Sequence, residues 1–166
     1  MALDGPINEE KKMPNNKTPA ITLTIAYGTN SSPGWKSTTV SGTAYSYLFQ
    51  GGNDGAGGIT GKKNKGAVDV SLTVLDAPSD PNSGDLPTDS SISAVSFFSV
   101  TGTTKTPYTG KELDWNPDNP APVMSGKIKD KMDNVQDYYY SVSILDSTQN
   151  PANTIVCDPP IKNITN

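Results

Sequence analysis

Apolar and polar residues alternate along several short stretches of this chain with the two-residue period of a β-strand. In "AITLTIAY", residues 20–27, Ile21, Leu23, Ile25 and Tyr27 share one face, while Thr22 and Thr24 share the other. "AVDVSLTVLD" sets Val68, Val70, Leu72 and Val74 in register. "DYYYSVSILDS", residues 137–147, places three tyrosines side by side in a chain with twelve aromatic residues. On a strand, Tyr138, Tyr140, Val142 and Ile144 share a face, and Tyr139, Ser141, Ser143 and Leu145 share the opposite one. Two of the tyrosines therefore extend an apolar stripe into a core. Tyr139 stands on the serine side, where it is a candidate ligand contact.

Other segments carry weaker patterns. "TTVSGTAYSYLF" reads as one strand with Tyr45, Tyr47 and Phe49 on one face and Val40, Ala44 and Leu48 on the other. In "SISAVSFFSV", Ile92 and Ala94 are in phase, and adjacent Phe97 and Phe98 call for a bulge. "APVMSGKIK" and "TIVCDPPIK" add two more stretches, and residues 127–136 are the one place where a helical turn is expected. With Gly, Pro, Asn and Asp between them, these elements predict an all-β chain, an antiparallel β-sandwich of about seven to nine strands. Immunoglobulin-like, cupredoxin-like and jelly-roll wirings all fit. Residues 1–19, with three prolines and no periodicity, read as a flexible arm, and residues 20–166 as a single sandwich domain. "VSLTVLD" (70–76) echoes "YSVSILD" (140–146), as two related sheets would, although an Asp that caps the turn after each strand explains the same match.

Composition narrows the chemistry. The chain has no histidine, which removes Ser-His and Cys-His nucleophile pairs, histidine-ligated metals and the usual proton shuttle near neutral pH. It has no arginine, and its thirteen lysines are scattered apart from Lys62, Lys63 and Lys65, so no nucleic-acid partner is expected. Cys157 is the lone cysteine and cannot form an intrachain disulfide. The first residues lack the apolar region of a signal peptide, and no stretch is long and apolar enough for membrane insertion. A cytoplasmic location is the expectation, with leaderless export or a removed leader left open.

Four features invite a ligand. The loop "GGNDGAGGITGKKNKG", residues 51–66, holds seven of the fifteen glycines, but its spacing departs from that of a phosphate loop and Lys63 stands where Ser or Thr should be. It reads instead as a long, mobile hairpin loop. Asp76, Asp80, Asn82 and Asp85 fall within ten residues and offer oxygens to calcium, although a Pro-shaped turn explains the same residues. No other cofactor is expected. Trp35 and Trp115 lie in loops, and an exposed Trp115 beside Asp114 can stack on a sugar while the carboxylate takes its hydroxyls. Alternatively, each indole plugs an end of the sandwich. Glu112 and Asp114, on an extended segment, point the same way and do not make a glycosidase pair.

The ending "YYYSVSILD...CDPPIKN" resembles the closing hairpin of small bacterial β-sandwich proteins described as cupredoxin-like or immunoglobulin-like. The resemblance covers some 25 residues and implies the fold without an activity. Copper ligation in true cupredoxins needs histidine, which is absent here. The expectation is a non-enzymatic binding protein that acts through its loops or by self-association, with itself among its protein partners. A carbohydrate-binding module using Trp35, Tyr139, Trp115 and Asp114, aided by calcium, is the alternative.

Overall fold

A computed structural model describes residues 20–60, 68–76, 90–131, 138–159 and 164–165. The alternating segments are strands, and no helix occurs among the described residues. The chain runs β1 (Ile21–Tyr27), β2 (Lys36–Val40), β3 (Thr43–Gly51), β4 (Ile59–Thr60), β5 (Val68–Asp76) and β6 (Ser90–Thr101). It continues through β7 (Thr104–Pro107), β8 (Leu113–Pro117), β9 (Ser125–Asp130), β10 (Tyr138–Asp146), β11 (Asn153–Cys157) and β12 (Ile164–Thr165). One sheet has the order β2-β3-β1-β5-β9-β8; the other has the order β4-β12-β10-β6-β7, with β11 also paired to β10. Among the described residues these are twelve strands, of which β4 and β12 are only two residues long.

The sheets are not wholly antiparallel, as the sequence had led us to expect. β1 pairs antiparallel with β3 but parallel with β5, from Ile21↔Leu72 to Ile25↔Asp76. Alternation specifies which face a side chain takes and says nothing about strand direction. Between β3 and β5 the chain visits the second sheet as β4, which itself pairs parallel with β12.

Both sheets feed one core. The first contributes Ile21, Leu23, Ile25, Tyr45 and Leu72, and the second Tyr138, Tyr140, Val142, Ile144 and Ile155, all at most 1% exposed. The expected buried face of the tyrosine strand is therefore the observed one. Phe49 and Tyr140 meet edge-on across the interior, their ring centroids 6.1 Å apart. The stretch between β8 and β9 also ties the sheets, since the Met124 carbonyl accepts Val74 N at 2.8 Å and the Val123 carbonyl accepts Ile92 N at 2.7 Å. β1 is not half-buried, because Thr24 and Ala26 on its other face are buried as well.

Four local expectations need correction. "TTVSGTAYSYLF" is a hairpin rather than one strand. Its two-residue turn, Ser41-Gly42, has φ of 48° and 83°, the doubly positive geometry that matches strand twist. The bulge in β6 lies at Ser93 and not at the paired phenylalanines. Ile144 pairs with Ile92 and Ser143 with Ala94, so the phase slips between them; Ile92 is buried and Ala94 exposed. Past the slip, ordinary alternation puts Phe97 opposite Tyr140 on the inner face and Phe98 opposite Tyr139 on the outer one. Of the segment expected to hold a helical turn, Lys127–Asp130 are strand, and residues 132–136 lie outside the described residues. The glycine loop does not close a hairpin, because β3 and β4 belong to different sheets; within it, Asp54 Oδ1 accepts Ala56 N at 2.9 Å and Gly58 N at 2.7 Å. Residues 61–66 and the arm, 1–19, lie outside the described residues.

Leu72 is fully buried between β1 and β9. Leu72→Ala should destabilise the protein by about 2–5 kcal/mol, read from denaturant unfolding. A cost near zero would show that this face does not form the core.

Candidate functional site

Several polar groups of the interior bond from one sheet to the other. Asp146, at the end of β10, is fully buried. Its Oδ2 accepts the hydroxyls of Tyr45 at 2.7 Å and Tyr27 at 3.0 Å, both from the first sheet. Its Oδ1 accepts Thr148 N at 3.0 Å and the Thr148 hydroxyl. Asn153 Nδ2 donates to Tyr45 Oη at 2.9 Å and to the Val40 carbonyl at 3.2 Å. Burial works to raise the Asp146 pKa, yet the bonds from Thr148, Tyr45 and Tyr27 outweigh it and hold the carboxyl below its ordinary range. Burial, with the carboxylate adding to it, pushes the Tyr45 phenol up to about 12. Such a carboxylate stays ionised at neutral pH and has no proton to give.

The same holds elsewhere in the interior. Tyr140 donates to the Gly57 carbonyl at 2.8 Å, and burial raises its pKa. Tyr138 donates to Glu112 Oε2 at 3.2 Å, and its ring packs against Tyr108 at 4.8 Å. Cys157 is buried, which pushes its thiol well up and leaves it a poor nucleophile.

An open polar groove of about 490 Å³ lies at β8 and β9, at the edge of the first sheet. Lys111, Lys129, Lys131, Asp114 and Asn116 line it, with Leu113 beneath them. Along β9 the buried residues Gly126, Ile128 and Asp130 alternate with Lys127, Lys129 and Lys131, so the lysines form one outward row. Lys131 N donates to the Glu112 carbonyl at 3.1 Å, which carries the pairing of these strands one step further. Ammonium groups here can hold anions, and Asp114 can accept hydroxyl hydrogen bonds. The sequence signal was the spacing of "KIKDK", obscured by the expectation of a helical turn.

The four candidate ligand contacts do not come together. Asp114 lines the groove, whereas Trp115, its neighbour on β8, turns inward and packs half-buried against the core. Its indole lies over Gly126, where a Cβ would come within 2.5 Å of Trp115 Cη2. The two residues thus take opposite faces and cannot grip one sugar as the sequence reading had them do. Glu112 and Asp114 also part ways, one buried against Tyr138 and the other exposed. Trp35 is half-buried in the loop before β2, its backbone N–H donating to the Ser32 carbonyl at 3.2 Å. Five strand spacings separate β2 from β8, roughly 24 Å. Tyr139 is on the outer face of the second sheet with Lys105 Nζ 4.3 Å from its ring centroid. Asp76 ends β5, and Asp80, Asn82 and Asp85 lie outside the described residues. No set of three metal-ligating side chains occurs among the described residues. No described helix is long and apolar enough to cross a membrane.

No family model, curated protein or solved structure matches this chain.

The Asp146 network predicts a stability profile that falls at both ends of the pH scale. The carboxylate's contribution is present above the ordinary carboxyl range and lost as pH falls through its depressed pKa. The contribution of neutral Tyr45 is full below pH 10.0 and lost as pH rises through about 12. Urea midpoints across pH should fall on both limbs, and Asp146→Asn should flatten the acid one. Tyr45→Phe should cost about 1.5–3 kcal/mol near neutrality. An acid limb unchanged in Asp146→Asn would assign the effect to other groups.

Proposed function

We propose that this chain is a non-enzymatic binding domain whose two sheets form an immunoglobulin-like or cupredoxin-like sandwich. The observation that carries the functional reading is the division of polar groups. The buried carboxylates Asp146 and Glu112 accept tyrosine hydroxyls, while lysines, Asp114 and Asn116 are grouped at an open groove. Groups placed in this way suit holding a ligand better than moving a proton.

Carbohydrate binding remains the form of this reading closest to the groove, because Asp114 and Asn116 offer hydroxyl partners there. A glycan array with and without chelator tests it. Retention of a glycan set in both arms is the expected outcome. Retention only without chelator would move the site to a calcium-dependent loop such as Asp76–Asp85, and no retention would leave protein partners as the targets.

Self-association can run through an exposed strand edge, above all an uncharged one, or through the N-terminal arm. β5 lies between β1 and β9, and β10 between β6 and β11, so neither "VSLTVL" nor "SVSIL" is an edge. Of the strands with a free side, β7 carries Lys105 and Pro107, and β8 carries Pro117. Lysine and proline of this kind oppose edge pairing. At the other side of the molecule, β2 and β11 are neighbours, and Lys36 Nζ donates to the Asp158 carbonyl at 3.0 Å. Of the two routes, a sheet edge or the arm, we therefore favour the arm, residues 1–19, which lies outside the described residues. Sedimentation should show an oligomer that dissociates when residues 1–19 are removed; a monomeric full chain at high micromolar concentration would end the self-association reading.

A further inference from the structure

The groove at β8–β9 concentrates positive charge on a protein of net charge -4. Three lysines, Lys111, Lys129 and Lys131, share its lining with a single carboxylate, Asp114, and Lys127 continues the row along β9. Like charges gathered on one face repel one another, and a bound anion relieves that repulsion. Asp69 stands opposite Lys129 on the β5 side, outside the lining, and Asp114 stands opposite it on β8. The end marked by Lys111 and Lys131 is thus the more electropositive. Same-face lysines two residues apart on a strand lie roughly 7 Å from one another, a repeat that suits a chain bearing regularly spaced anionic groups.

We propose that this groove binds an acidic polysaccharide, a glycan chain bearing carboxylate or sulfate groups. The inference rests on the binding-domain reading and names its ligand class. Two details favour an acidic glycan over an acidic peptide. Asp114 sits among the lysines, where it can accept hydrogen bonds from the free hydroxyls that a sugar ring carries and a glutamate or aspartate side chain lacks. Asn116 beside it can both donate and accept. The aromatic ring nearest in sequence, Trp115, is turned to the core and provides no stacking platform here. Recognition is therefore electrostatic, supplied by point-charge ammonium groups that ask for anions without bidentate geometry. Salt should weaken it steeply, since binding a polyanion releases its counterions.

Affinity electrophoresis of the full chain in gels containing dextran sulfate, polygalacturonate, neutral dextran or poly-L-glutamate tests this. Retardation is expected with dextran sulfate or polygalacturonate, to be lost at high salt. Lys111→Gln/Lys129→Gln/Lys131→Gln should weaken it by about tenfold, three exposed ionic contacts each contributing modestly. A variant with the same change in charge placed elsewhere, Lys36→Gln/Gln50→Glu/Lys105→Gln, should retain binding, which separates the groove from net charge. Equal loss in both variants, or poly-L-glutamate binding as tightly as the glycans, would overturn the inference. If neither acidic glycan is bound but the array retains a neutral glycan, the groove assignment fails and the binding-domain reading survives. If nothing is bound in either experiment, the glycan form of that reading fails with it.

Discussion

A carboxylate without solvent must find its hydrogen bonds inside the protein, and Asp146 finds two of its four across the interior. Tyr27 and Tyr45 reach from the first sheet to an acid at the end of the second, and Asn153 braces Tyr45 from β11. An unpaired charge in such a place would cost several kcal/mol, so the ends of β1, β3 and β10 are constrained to a narrow range of relative positions. The apolar core alone tolerates small slides between sheets, because apolar contacts are not directional. Directional bonds to a buried charge do not. Other tyrosines repeat the device in gentler form, Tyr138 toward Glu112 and Tyr140 toward the Gly57 carbonyl.

This division of labour accounts for the interior's chemical quiet. Tyr27, Tyr45, Tyr138 and Tyr140 spend their hydroxyls on bonds within the protein, and burial shifts Tyr138, Tyr140 and Cys157 toward their neutral forms. The outer faces carry the variety. One presents the lysine row of β9 with Asp114 and Asn116; the other presents Tyr139 and Phe98 with Lys105 over the tyrosine ring. A rigid frame with chemically different faces is suited to recognition, in which affinity comes from groups held in place beforehand.

The legible parts of the site were those that depend on one residue's character. Asp114 stood out as an exposed acid, and its partners did not, because Lys111, Lys129 and Lys131 come from two strands and the segments beside them. Trp115 misled for a related reason. Adjacency in sequence to Asp114 means opposition across a strand, and only the assignment of β8 as a strand separates the two side chains. Ser93 misled in the other direction: a single extra residue shifted Ala94 outward and resolved Phe97 and Phe98 without any irregularity at the rings.

Period-two alternation by itself determined the class of the fold and the inner faces of β1, β5 and β10, because burying an apolar stripe is a local demand that any packing partner can meet. The absence of histidine likewise set bounds on chemistry that no arrangement could change. Tertiary structure decided the rest. It decided which strands are edges, that β1 runs parallel to β5, and that scattered lysines meet at one groove. It also decided that a final Asp on a regular strand becomes the bond between two sheets. Each of these depends on which distant segments become neighbours, and pairing in a sheet uses backbone groups that every residue carries alike.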